Sequence, residues 1–247
     1  MLEKSTVKNF EEAIKFAEKF RYKDDLKQKS IQDYDLDKEK LHHSYNYLKI
    51  TKSVTPEIYK NLLSVFDKLN INKNFVEAFI FPDPQIQAEC ISSGRGECIL
   101  RFSSGLIDLL DNEEIQFVAG HELGHYLLNH QGCADLGNNN NNIEDLINRR
   151  AQEISADRIG YIVSNSIDTS LQALMKTISG LGNKHIHFNF SDFINQINKI
   201  STKDIKYMSN STHPSIIVRC RALLHFSTQH KGGTTKNIDS IIRKDMD

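Results

Sequence analysis

The stretch His121-Glu122-Leu123-Gly124-His125 decides how this chain is read. It has the form H-E-x-x-H, and residues four apart on an α-helix are offset by only about 40° around the axis. The two imidazoles therefore point at one spot and can share a Zn²⁺. Glu122 leans beside them, placed to take a proton from a metal-activated water. The surroundings predict a helix. Asp111 followed by Glu114 forms a capping-box pattern, and Ile115, Phe117, Val118, His121, Glu122, His125 and Leu128 follow helical periodicity. A core helix carrying two hydrogen-bonded histidines is the plainer alternative, and it leaves Glu122 unexplained on the same inward face.

The spacing predicts that this helix ends near His130-Gln131-Gly132. Extrapolated along it, His130 lies nine residues after His121, on roughly the opposite side, and is rejected as a third ligand. The extended metal motif with a third His needs Gly and His where this chain has Leu128 and Gln131, so that class is excluded. The third ligand must come from beyond the first helix. A second long helix is predicted over 143–164, and on it Glu153 and Asp157 share a face. Glu153 is the best candidate for the third ligand. Asp157 can accept the N–H of a ligand histidine and fix its tautomer. Taken alone, the two could also be an acidic pair facing solvent.

Upstream, Pro56 opens a predicted helix over 56–69 with an apolar stripe of Ile58, Leu62, Leu63, Phe66 and Leu69. The periodicity then changes. Phe75 to Phe81, Ile86 to Ile91 and Glu97 to Phe102 read as strands separated by Pro82-Asp83-Pro84 and Gly94-Arg95-Gly96, a small antiparallel meander. Its free edge, expected near Glu97–Phe102, is a place where an extended peptide can add as a strand. Residues 1–47 are charged, with one amphipathic helix suggested by Phe10, Ile14, Ala17 and Phe20. Asn138 to Asn142 form a loop, and further helices are predicted over 167–180, 192–200 and 215–229. His42-His43 and His185/His187 are assigned no metal role.

These patterns divide the 247 residues into a helical lead-in (1–74) packed on the domain, a core (75–230) and a tail (231–247). Lys+Arg 31 against Asp+Glu 32 leaves no basic field for nucleic acid. No signal peptide and no apolar window long enough for a membrane span is seen, so the expected location is cytoplasmic. The four cysteines lack C-x-x-C spacing and read as free thiols, a bridge remaining open.

Four segments together resemble the zinc metallopeptidases typified by the HtpX heat-shock protease and the CAAX prenyl endopeptidases, within the gluzincin group. They are His121–His125; Arg149 to Gly160, similar to E-x-x-A-D-x-x-G; Ser211-Thr212-His213-Pro214-Ser215 with Arg219, similar to T-H-P-x followed by Arg; and Pro84 through Leu110. The resemblance covers roughly 75–228. It implies an α+β, zincin-like fold, mostly helical, and one Zn²⁺ held by His121, His125 and Glu153. Glu122 would be the general base and later the general acid, and Asp157 would support a ligand. His213 and Arg219 would lie near the cleft, where they could stabilise an oxyanion. On the residues alone, His213 could equally be a helix N-terminal residue without a role and Arg219 a structural ion-pair partner. Two departures matter. Transmembrane helices, common in the family, are not seen. Gln87 and Glu89 replace the usual Asn and Phe beside the cleft.

The implied activity is hydrolysis of peptide bonds in a protein or peptide substrate. Two competitors stand beside it: a hydrolase of the deformylase kind, with Cys90 as a ligand, and a catalytically silent zinc scaffold that binds a partner.

Overall fold

The computed structural model describes residues 35–92, 96–128, 130, 143–186, 189, 192 and 214–229, with side chains from 149 onward in the helix that starts at 143. The amphipathic N-terminal stripe, the Asn138–Asn142 loop, His213 and the C-terminal tail lie outside these residues.

The sheet comes first. Strands β1 (Leu48–Lys49), β2 (Val76–Phe81), β3 (Ala88–Ser92) and β4 (Cys98–Ser103) are ordered β1-β2-β4-β3. Pairs β1·β2 and β3·β4 are antiparallel, but β2 and β4 run parallel, with Val76 opposite Cys98 and Phe81 opposite Ser103. The expected antiparallel meander is thus a mixed sheet. The reason lies in the segment between β2 and β3. It does not turn tightly back; it passes over the end of β4 and is tied there. Gly105 N–H donates to Asp83 C=O (2.9 Å), Ser103 N–H to Gln87 C=O (2.9 Å) and Asp83 N–H to Ser104 Oγ (3.2 Å). A Cβ on Gly105 would run into the Pro84 carbonyl, so this crossing requires glycine.

The strand period of two divides the side chains between faces. Val76, Ala78, Cys98, Leu100 and Phe102 point into the main core, while Phe79 and Ile99 pack with Leu36 on the other face. Helix α1 (Leu36–Asn46) covers that second face. Its His43 is fully buried: Nδ1–H donates to Glu39 C=O (2.7 Å), and Nε2 lies 3.3 Å from Arg101 Nη1.

On the main face pack α2 (Pro56–Lys68) and α4 (Asn112–Leu127), the latter entered through the short α3 (Ser104–Leu109). Of the stripe that predicted α2, Leu62, Phe66 and Leu69 are buried, joined by Val65, which the stripe did not include. Helix α4 starts on the Asp111–Glu114 capping box, with both reciprocal bonds formed. Glu114 is buried and receives Lys176 Nζ from α6 (Ile167–Ser179), which ties the head of α4 to the layer behind it. Around these pack α5 (Ile143–Ser164) and α7 (Ile216–Gln229). Among the described residues the result is the α+β architecture expected, helix-rich with one small sheet. No helix among the described residues is long and apolar enough to cross a membrane.

Candidate metal centre

Two helices make the centre, and small residues let them approach. At the α4·α5 crossing, a Cβ on Gly120 would lie 2.9 Å from Val163 Cβ, and one on Gly160 would lie 2.7 Å from the Phe117 carbonyl oxygen. A Cβ on Gly124 would sit 3.2 Å from Ala156 Cα. A seam of Gly120, Gly124, Ala156 and Gly160 therefore lets the backbones come closer than larger side chains would allow. It brings the H-E-x-x-H turn against the turn of α5 that carries Glu153 and Asp157.

The distances follow from that seam. His121 Nε2 lies 3.2 Å from His125 Nε2, 3.7 Å separates His121 Nε2 from Glu153 Oε2, and 3.5 Å separates His125 Nε2 from Glu153 Oε1. Four-coordinate zinc with ligand bonds of about 2.0–2.2 Å has ligand-to-ligand edges of about 3.3–3.5 Å. Two imidazole nitrogens and a carboxylate are donors zinc accepts, so this set fits the ion in chemistry and in spacing. Among the described residues, His121, His125 and Glu153 are the group that could hold a metal ion. Glu153 is turned inward, its side chain 13% exposed.

Around the three lie their supports. Asp157 Oδ1 is 2.9 Å from His121 Nδ1 and accepts from it. Arg219 of α7 grips the same carboxylate with Nε (2.7 Å, to Oδ2) and Nη2 (2.6 Å, to Oδ1), and its Nη1 stands 3.6 Å from Glu153 Oε2. Its contacts are those of an ion-pair partner to Asp157. Burial alone would raise the Asp157 carboxyl; the Arg219 charge and hydrogen bonds, with His121, outweigh it and hold the group down at about 2. The asymmetry suits a carboxylate kept ionised as an acceptor.

The second ligand behaves differently. Burial, with the neighbouring His121 and His130, pushes His125 down to about 2, so its ring is neutral and its nitrogen lone pair available. Glu122 is buried too, and burial, reinforced by Glu153, lifts it to about 7 against the opposing pull of His121, Arg219 and the Cys90 main-chain N–H. A carboxylate near 7 is matched to proton transfer in neutral water.

The Cys90 N–H shows where the sheet meets the site. Ser103 N–H bonds to Gln87 C=O, and in the antiparallel register of β3 on β4 this turns the main-chain groups of Glu89 and Ile91 toward β4. Those of Ala88, Cys90 and Ser92 face the other way, toward α4. The strand bordering the centre is therefore β3. The edge expected near Glu97–Phe102 is not an edge: β4 is central, hydrogen-bonded to β2 and β3. Tyr126 Oη donates to Gly96 C=O (3.0 Å) and fastens the tip of the β3–β4 hairpin to the end of α4.

Two sequence expectations change here. Glu89 does not line the cleft. Its side chain pairs with Arg101 on the α1 face of the sheet, as strand alternation from core-facing Cys90 requires. The α4 helix ends at Leu127, so His130 does not lie on the helix's far side; its Nδ1 is 3.0 Å from His125 Nδ1. Helical extrapolation past a helix end hid this contact. Cys90 is absent from the metal-competent group and packs against the core instead. Cys90, Cys98 and Cys220 are thiols outside any disulfide, and burial raises Cys220 to about 12.

With the geometry in place, comparison with known proteins adds one finding. Neither the curated proteins nor the solved structures gave a match to this chain. The match to a family model, Peptidase family M48, covers residues 53–147, from just before α2 through the H-E-x-x-H helix, and ends short of Glu153, Asp157 and Arg219. Over that stretch the chain is similar to the M48 peptidases, which supports a metallopeptidase.

Proposed function

We propose that the chain is a zinc-dependent endopeptidase whose ion is held by His121, His125 and Glu153. The observation that carries this reading is the convergence of two imidazole nitrogens and the Glu153 carboxylate, one oxygen of which lies 3.7 Å from His121 Nε2 and the other 3.5 Å from His125 Nε2, with the carboxylate of Glu122 beside them. Bound zinc would polarise the scissile carbonyl and bring the pKa of a water toward 7.

The chain's own residues do the rest. Glu122, buried and raised, accepts the proton of the attacking water and passes it to the leaving amine nitrogen as the C–N bond breaks. Asp157 keeps the His121 proton on Nδ1, leaving Nε2 as the donor to the ion. Arg219 is a positioning residue: it neutralises Asp157 and holds it in place with two parallel bonds. A peptide substrate would lie along β3, the strand that borders the centre.

The test uses the full chain, an internally quenched peptide and a chelator. Wild type should show chelator-sensitive cleavage restored by zinc. Glu122→Gln should bind zinc as wild type does and lose at least about 10²-fold in rate. Undiminished cleavage by that variant would remove Glu122 from its role. No chelator-sensitive cleavage by the zinc-loaded wild type would favour the silent scaffold.

A further inference from the structure

Each histidine of the centre needs something on its second ring nitrogen, and only one of the two partners has been accounted for. His121 has Asp157. For His125 we infer that His130 is a dedicated positioning residue, accepting a hydrogen bond from His125 Nδ1–H so that Nε2 is presented to the ion. The inference rests on the zinc reading above.

The end of α4 builds this contact. The helix caps at Leu128, which places His125 three residues before the cap and His130 two residues after it. His130 N–H donates to His125 C=O (2.9 Å), the bond of a Schellman closure, in which the chain folds back over its own last turn. That closure carries the His130 side chain over the residue it caps. The rings stand 5.0 Å apart at 70°, with Nδ1 3.0 Å from Nδ1. One nitrogen must carry the proton and the other must accept. His125 Nε2 faces His121 and Glu153 across 3.2 and 3.5 Å, so it is the nitrogen left for the metal, and Nδ1 is the protonated one.

His130 cannot itself be a ligand in this arrangement, because it meets His125 at the nitrogen opposite to the one that faces the site. The two ligands therefore receive unlike support. His121 leans on an anion paired with Arg219, and His125 on an imidazole held by the helix end. An imidazole partner orients the ring without adding negative charge beside Glu153 and Glu122.

The experiment measures zinc affinity of the full-length protein by competition with a chromophoric chelator at pH 7.5, for wild type, His121→Ala, His130→Ala and His130→Gln. Loss of such a supporting partner typically weakens metal binding about 10–100-fold. His130→Ala should weaken binding within that range, and His130→Gln, whose amide oxygen can accept, should recover most of it. In zinc-loaded wild type, selectively labelled His125 should show an exchange-protected Nδ1–H resonance that disappears in His130→Ala. The melting temperature of the metal-free protein reports any general loss of folding separately. Affinity of His130→Ala within about twofold of wild type, or a His125 Nδ1–H signal that survives the change, would overturn the inference. Failure of wild type to bind zinc more tightly than His121→Ala would overturn the zinc reading instead.

Discussion

Replacing Gly160 by Ala puts the helix seam to the test with a result whose sign is decisive. In an unobstructed helix, exchanging Gly for Ala stabilises by about 1 kcal/mol, because Ala gives up less backbone freedom on folding. At Gly160 the new methyl would stand 2.7 Å from the Phe117 carbonyl oxygen and 3.0 Å from its ring. A carbonyl inside a helix cannot swing aside, so α4 and α5 must part by roughly half an ångström. Overpacking of this kind costs about 1–3 kcal/mol, which cancels or exceeds the propensity gain. The net expectation is no gain and a loss of up to about 2 kcal/mol, or a melting temperature lower by up to roughly 8 °C for a chain of this size. The metal site should suffer more than the fold. Ligand geometry tolerates only about 0.5 Å of error, and separating the helices moves Glu153 away from both imidazoles. Zinc affinity should therefore fall at least about tenfold. Gly182→Ala, whose methyl would meet only Leu109 Cδ1 at 3.8 Å, serves as the control and should leave zinc affinity unchanged without lowering the melting temperature. Thermal unfolding of the metal-free protein and chelator competition give the two readouts. A higher melting temperature for Gly160→Ala with intact zinc binding would refute the claim that the seam sets the site.

Three further outcomes follow from named contacts. Asp157→Asn removes the anion that the enclosed Arg219 guanidinium grips, leaving it only Glu153 at 3.6 Å, and should cost about 3–5 kcal/mol on denaturant unfolding, with about 10–100-fold weaker zinc binding; wild-type values in both assays would reject the pairing as structural support. Lys176→Met strands the buried Glu114 carboxylate at the head of α4 and should destabilise by a similar amount, and adding Glu114→Gln should recover much of the loss, whereas additive losses would show that the pair is uncoupled. His43 is held below its ordinary value of 6.5, first by burial and then by Arg101, so the folded state binds fewer protons than the unfolded chain. Its contribution to stability is complete above about pH 6.5 and is lost as pH falls below it. His43→Leu should flatten stability against pH between 7 and 5, and an unchanged slope would exclude His43 as the source.

How much of this was readable in the residues depends on whether the signal is local. The H-E-x-x-H helix and its Asp111 cap could be read because capping and helical period act within one turn, and α5 because its pattern runs long enough to be unambiguous. Strand identities were local as well. Their pairing was not. Nothing within Val76–Phe81 says that its neighbour is β4 and not β3; that is decided by where the Pro82–Gln87 connection is tied, at Gly105 and Ser103, some twenty residues away. The mistaken edge at Glu97–Phe102 and the misplaced Glu89 share this origin. For Glu89 the means of correction was available, since alternation from an apolar Cys90 sends it to the opposite face.

The centre itself divides along the same line, and the division shows what folding contributes to the chemistry. Sequence spacing could place two imidazoles on one turn and two carboxylates on another, but the closing of the triangle depends on the separation between two helices. That separation is written in residues that carry no chemistry: Gly120 and Gly124 on one side, Ala156 and Gly160 on the other. Two of these four lie within or directly before the metal motif, where they read as spacers between ligands. Their near-absence of side chain is what brings a donor on α5 within 3.5 Å of one on α4. A metal-ligating residue can be replaced and its loss recognised at once. A seam glycine would be judged a safe target by its chemistry, and on this geometry its replacement should disable the centre while His121, Glu122, His125 and Glu153 all remain in place.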